Sequence, residues 1–104
     1  MESYDLLIAG EHRPAASGEA MEVEDPHTGR SFATVARAGV EDVDAAVAGA
    51  HRAFEVGTWA QMPATQRGRH LHRVADGLRA GAEALATVLA REAGKPISSA
   101  RWEV

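Results

Sequence analysis

Glu41-Asp42-Val43-Asp44-Ala45-Ala46-Val47-Ala48-Gly49-Ala50, continuing through His51 and Phe54 to Val56, is the stretch that decides how the chain is read. Val43, Val47, Ala50 and Phe54 recur at helical spacing, with Ala46 and Ala53 beside them. That periodicity predicts an amphipathic helix with one apolar face. Glu41 and Asp42 stand at its start, where acids complement the positive end of the helix dipole. Gly57 ends it.

Working outward from this helix, the chain divides near residue 39. On the C-terminal side the helical pattern repeats. Pro63 suits a first turn, and Arg67, Leu71, Val74 and Leu78 then line one face, widened by Ala75. Gly81 breaks the run. A third helix carries Leu85, Val88 and Leu89, and Gly94 stops it before Lys95-Pro96. Pro96 opens a fourth helix, Ile97 to Val104, that the chain end cuts short. The glycines Gly49, Gly68 and Gly77 lower helix propensity by about 1 kcal/mol each relative to Ala, so tertiary packing must hold these helices.

The N-terminal side carries strand and turn signals. Leu6-Leu7-Ile8 is a short apolar strand, with Gly10-Glu11 as the turn after it and Ala15-Ala16-Ser17-Gly18 as a second loop. Ala20-Met21-Glu22-Val23-Glu24 alternates apolar and polar, as a half-buried strand does. In Asp25-Pro26-His27-Thr28-Gly29, Pro26 presets φ, Asp25 bonds the backbone ahead and Gly29 takes positive φ, which makes a turn. Ser31-Phe32-Ala33-Thr34-Val35-Ala36 alternates again. The expectation is an α+β chain: short antiparallel strands in a hairpin or meander over residues 5–37, then three to four helices over residues 40–104.

Composition narrows the function classes. The 104 residues contain no cysteine and carry a formal net charge of −4. Without Cys there is no disulfide, no thiolate zinc site and no cysteine nucleophile. The acidic balance argues against a nucleic-acid surface, which calls for a basic patch. No apolar run approaches the roughly 18 residues that span a bilayer, and the start lacks a basic leader segment, so no membrane partner and a cytoplasmic location are expected. Of the apolar residues, 22 are Ala, whereas Leu, Ile, Val and Phe together number 19. That is just under the roughly 20% below which a self-sufficient core becomes doubtful. The chain therefore reads as part of a larger core.

Candidates for chemistry are few. His70 and His72 lie two apart on a helix and point to different sides. His51 lies on another helix, and His12 and His27 fall in predicted loops. Scattered solvated histidines explain them. The basic cluster Arg67, Arg69, His70, His72, Arg73, Arg79 has no aromatic residues between its charges for base stacking and reads as a solvated helix face. No glycine-rich phosphate cradle and no nucleophile elbow occurs. Ser17, Ser98 and Ser99 suit caps and turns. Among the acids, Glu24 ends a strand and Glu92 lies in the last helical turn before Gly94. A carboxylate there opposes the helix dipole unless a cation offsets it, and a salt bridge is the ordinary explanation.

The ordered set of these segments resembles the N-terminal segment of the aldehyde dehydrogenase superfamily, part of its cofactor-binding domain. Leu7-Ile8-Ala9-Gly10-Glu11 is similar to the family's opening I-N-G-E-W, and Asp25-Pro26-His27-Thr28-Gly29-Arg30 to its N-P-A-T-G-E turn. Ala33-Thr34-Val35 followed by Glu41-Asp42-Val43-Asp44-Ala45-Ala46-Val47 resembles its A-x-V … E-D-V-D-x-A-V passage. Phe54 and Trp59 hold the places of its A-F … W pair. Arg67 with Leu71 and Ala75-Asp76 resemble R-x-x-x-L and A-D, and Glu92-Ala93-Gly94-Lys95-Pro96 resembles D/E-T-G-K-P. Ala9 stands where Asn is usual, His12 where Trp is, Asp25 where Asn is, and Gly39-Val40 replaces a Ser/Thr cap. The resemblance implies a fragment of the α/β aldehyde dehydrogenase fold, from an enzyme that oxidises an aldehyde to a carboxylic acid with NAD or NADP. It implies no catalytic or cofactor-binding residue and no cofactor in this chain alone, because the family's Cys, Glu and dinucleotide segment lie downstream. The partner implied is the remainder of the fold or a homo-oligomer. It also implies a monovalent cation held near Val23, Glu24 and Glu92. The alternative is a stand-alone interaction module that packs on a partner.

Overall fold

The computed structural model describes residues 1–104. It contains five short strands, β1 (Glu2–Tyr4), β2 (Leu6–Ile8), β3 (Glu11–Arg13), β4 (Ala20–Asp25) and β5 (Arg30–Ala36). Five helical segments follow: α1 (Val40–Val56), the single turn α2 (Thr58–Gln61), α3 (Ala64–Ala80), α4 (Ala82–Ala93) and α5 (Ile97–Glu103). The α+β class read from the sequence is the one observed. The strands, however, form two sheets rather than one meander. One is three-stranded, in the order β1-β5-β4, and the other is the β2–β3 pair.

Two differences come from the first dozen residues. Glu2–Tyr4, with no apolar alternation to announce it, pairs in parallel with β5 in the register Glu2↔Ala33, Ser3↔Thr34, Tyr4↔Val35. β5 is the central strand, and from Phe32 to Ala36 no residue is fully exposed. β4 pairs with one edge of β5, and β1 takes up the backbone groups along the other. The other difference is the turn after Ile8. Ala9-Gly10 forms it, and Glu11 already pairs with Ile8 as the start of β3. Both turn residues have positive φ, 53° and 85°, the mirror-image geometry that suits the twist of a two-residue hairpin.

The contacts sort into two units. The first comprises Met1–Val23 and Ser31–Met62, and the second Glu24–Arg30 and Pro63–Val104. In the first, α1 packs on β2 and α2 folds back on α1. Asp42 is its buried polar centre, 2% exposed. The Asp42 carboxylate accepts hydrogen bonds from the backbone N–H of Ala16 at 3.1 Å and of Gly39 at 3.0 Å. Gly39 has no side chain to return the cap, so Asp42 makes half of a capping box alone while tying the Ala15–Ala16 loop to the head of α1. In the second unit, α3, α4 and α5 pack in sequence, most densely between α4 and α5.

The helix faces need correction. The stripe expected to bury α1, Val43, Val47, Ala50 and Phe54, is exposed, with Phe54 at 77%. The helix turns Asp42, Ala45, Ala46 and Gly49 inward instead. Gly49 meets Ala9 so closely that a Cβ there would stand 3.2 Å from the Ala9 Cβ. Leu71, Val74 and Leu78 on α3 and Leu85 and Val88 on α4 are likewise exposed, while Ala86 of α4 is fully buried. Periodicity finds an apolar stripe but not what covers it. Within these residues the helices pack through small side chains. The buried apolar set is only Ile8, Ala15, Ala33, Ala86 and Ala100.

Candidate functional site

Strand alternation and one helix C-terminus place the acids singled out in the sequence. Along β4, Val23 is half-buried, Glu24 exposed and Asp25 half-buried again. The turn that follows is closed by Asp25. Its Oδ1 accepts the His27 N–H at 2.9 Å, and its carbonyl oxygen accepts the N–H of Thr28 at 3.2 Å and of Gly29 at 2.8 Å. This is the Asx-turn chemistry expected of Asp ahead of Pro. α4 ends at Gly94 in the left-handed conformation, φ 65°. A Cβ on Gly94 would fall 2.8 Å from Pro26 Cγ, so only glycine lets the end of α4 close onto the turn.

In that junction the neighbours of the expected residues meet. Arg91 Nε lies 3.9 Å from Asp25 Oδ2, and the Asp25 side chain is only 13% exposed. Asp25, His27, Ala90, Arg91, Lys95 and Pro96 line a cleft of about 400 Å³ there. Glu24 and Glu92 are exposed and do not line it. No group of three His, Asp or Glu side chains gathers in the chain as a divalent metal site would need. A monovalent cation held largely by carbonyl oxygens does not require such a group.

The other candidates resolve into local pairs. His51 sits 3.3 Å from Glu55 one turn on. His70 contacts Arg73, and Arg79 pairs with Asp76 at 3.0 Å. His12, expected in a loop, stands exposed in β3 opposite Leu7. Arg101 holds Glu83 through Nε at 2.9 Å and Nη2 at 2.6 Å. The Arg101 hydrogen bonds keep the Glu83 carboxyl below its ordinary range, and the same contact raises Arg101. Tyr4 donates its hydroxyl to Glu2, whose hydrogen bond and charge push the phenol up. Sequence reading missed Asp42, which it took only as a charge beside the helix dipole. The signal was the G-x-x-D spacing from Gly39.

A groove of about 540 Å³ runs between the β2–β3 turn and α1. Leu7, Ile8, Ala9, Ala46, Ala50, Ala53 and Val56 form its walls, and Arg52 is its one charged lining residue. The chemistry these arrangements perform is capping, turn closure and ion pairing.

Comparison with known proteins gives the molecular context. Residues 12–104 match the family model "Aldehyde dehydrogenase family". The mitochondrial benzaldehyde dehydrogenase of Antirrhinum majus is 40% identical over 94 residues, covering 89% of this chain and 18% of that protein. The solved NAD-dependent aldehyde dehydrogenase of Sinorhizobium meliloti is 38% identical and superposes with a TM-score of 0.95, covering 99% of this chain and 21% of that one. A Bacillus cereus aldehyde dehydrogenase solved as its NAD+ complex is 37% identical, with a TM-score of 0.91 over 95% of this chain and 20% of that one. The chain thus spans about a fifth of the length of these relatives.

Proposed function

We propose, since this chain belongs to the aldehyde dehydrogenase family, that it supplies the N-terminal segment of an enzyme oxidising an aldehyde to a carboxylic acid. NAD or NADP accepts the hydride when bound. The residues here do not handle substrate. They form strands and helices on which the rest of the enzyme packs, and their contribution to catalysis is the shape of that support. One observation carries this reading. A chain that follows a solved family member at a TM-score of 0.95 leaves 18 large apolar side chains exposed. Exposed apolar side chains in this number, on helices that follow a family fold, mark surface that the rest of such a fold covers.

The test is recombination in trans. This chain is mixed with the remaining portion of the Sinorhizobium meliloti enzyme, and NADH formation from an aldehyde is followed by absorbance. Activity from the mixture and none from either part supports the proposal. Turnover by this chain alone refutes it. So does a silent mixture in which both parts have bound one another. A stand-alone interaction module would give that last result.

The same reading assigns Val23, Glu24 and Glu92 to a monovalent cation in the whole enzyme, because a carbonyl and carboxylate oxygens are the hard donors such an ion takes. The recombined enzyme should melt at higher temperature in potassium chloride than in choline chloride. Glu92→Gln should shrink that difference, and an unchanged difference would remove Glu92 from the site.

A further inference from the structure

The groove between the β2–β3 turn and α1, about 540 Å³, lies wholly within the first unit, and its emptiness follows from residue type. Seven of its eleven lining residues are Ala or Gly. Ala46, Ala50 and Ala53 recur along α1 at helical spacing, and each offers one methyl group. A methyl has no rotamer that reaches into the space, so this wall cannot close the groove by repacking. The facing turn is held off as well. A Cβ on Gly49 would stand 3.2 Å from the Ala9 Cβ, so turn and helix already touch there and can approach no further. Leu7, 64% exposed, and Val56, 68% exposed, complete an apolar lining that nothing in the chain covers.

Arg52 is the one charge at this surface. It has no ion pair within the chain, because the acid one turn on, Glu55, faces His51 at 3.3 Å. The charged stripe of α1, Glu41, Asp44, His51 and Glu55, runs along another side of the helix with Ala48 in its midst, and none of these residues lines the groove. A groove that is apolar but for one unpaired guanidinium selects its occupant. Aliphatic or aromatic side chains gain by leaving water there. A carboxylate on the same segment gains a charge-assisted, bidentate partner in Arg52. A basic segment would instead set two like charges against each other beside an apolar space. The chain follows the Sinorhizobium meliloti enzyme at a TM-score of 0.95 while covering 21% of it, so the rest of such a fold is the source of a segment to fill the groove.

We propose, resting on the reading of this chain as the N-terminal segment of an aldehyde dehydrogenase, that the groove seats one apolar segment of the remainder of the enzyme and that a carboxylate on that segment pairs with Arg52. Isothermal titration of this chain with the remaining portion of the Sinorhizobium meliloti enzyme tests it. Ala50→Trp places an indole in the groove and should weaken binding about ten-fold or more. Ala48→Trp, on the charged stripe, should stay within about two-fold of wild type. Arg52→Glu should weaken binding about ten- to a hundred-fold, and Arg52→Lys, which keeps the charge but not the fork, by less. Positions 48, 50 and 52 are exposed on α1, so each variant should fold as wild type does by circular dichroism. Equal losses from Ala48→Trp and Ala50→Trp, or wild-type affinity in Arg52→Glu, would overturn the docking site, while binding by the wild-type chain would still uphold the N-terminal-segment reading. No binding by the wild-type chain would overturn both.

Discussion

Ala9 sits at φ 53° and Gly10 at 85°, in a hairpin turn where both residues must take positive φ. An L side chain with a Cβ is disfavoured there, and Asn tolerates the geometry best after Gly. Ala9→Asn should therefore stabilise the chain by about 0.5–1 kcal/mol, read from urea unfolding. The groove beside Ala9 has room for the added amide. Asp42 is the opposite case. Its buried carboxylate satisfies the Ala16 and Gly39 N–H groups and lies 4.0 Å from Arg13 Nη2. Asp42→Asn turns one acceptor into a donor facing donors and should cost about 1–3 kcal/mol by the same measurement. The first effect was legible in the sequence as an Ala where the family has Asn. The second was not, because burial of a first-turn acid depends on a loop 26 residues away closing over it.

Among the elements, the end of α4 is the most constrained. Gly94→Ala would force a Cβ into the left-handed region and to 2.8 Å from Pro26 Cγ, a loss of about 2 kcal/mol or more in thermal or urea unfolding. Gly94 as a stop and Asp25 as a turn former could both be read from residue type, since each acts through its own backbone. The inward faces of α1, α3 and α4 could not. Hydrophobic spacing pointed to Val47, Leu71 and Val88, all exposed, and the packing instead uses Gly49 and Ala86. Small residues have little hydrophobic weight and leave almost no periodic trace. For the same reason the candidate acids were located correctly along β4 and α4, but not the Asp25–Arg91 contact between their neighbours. The Glu83–Arg101 bridge adds a pH dependence whose sign is fixed. Because the folded state lowers the Glu83 carboxyl, its contribution is present above the ordinary carboxylate range and fades as pH falls through the lowered value. The melting-temperature gap between wild type and Glu83→Gln should accordingly close on acidification from neutral pH.

For the whole molecule, 18 of 25 large apolar and aromatic residues are exposed. Leu71→Ser with Val74→Ser should change the stability of this chain by no more than about 0.5 kcal/mol, as surface substitutions do. The same pair should abolish NADH formation in the recombined enzyme. An apolar dye should bind this chain strongly and be displaced when the complementary portion is added. The scarcity of Leu, Ile, Val and Phe foretold the thin core, because the apolar area available sets what a chain can enclose. The hairpin of β4 and β5 adds an order of events. Its tip, Glu24–Arg30, belongs to the unit built from Pro63–Val104, whereas its stems belong to the other. During synthesis the first unit has all its residues once Met62 has emerged, but Pro26 must wait for Gly94. Until then those seven residues lack the helix end onto which they close, and the ribosome's pace through α3 and α4 sets how long they wait for it.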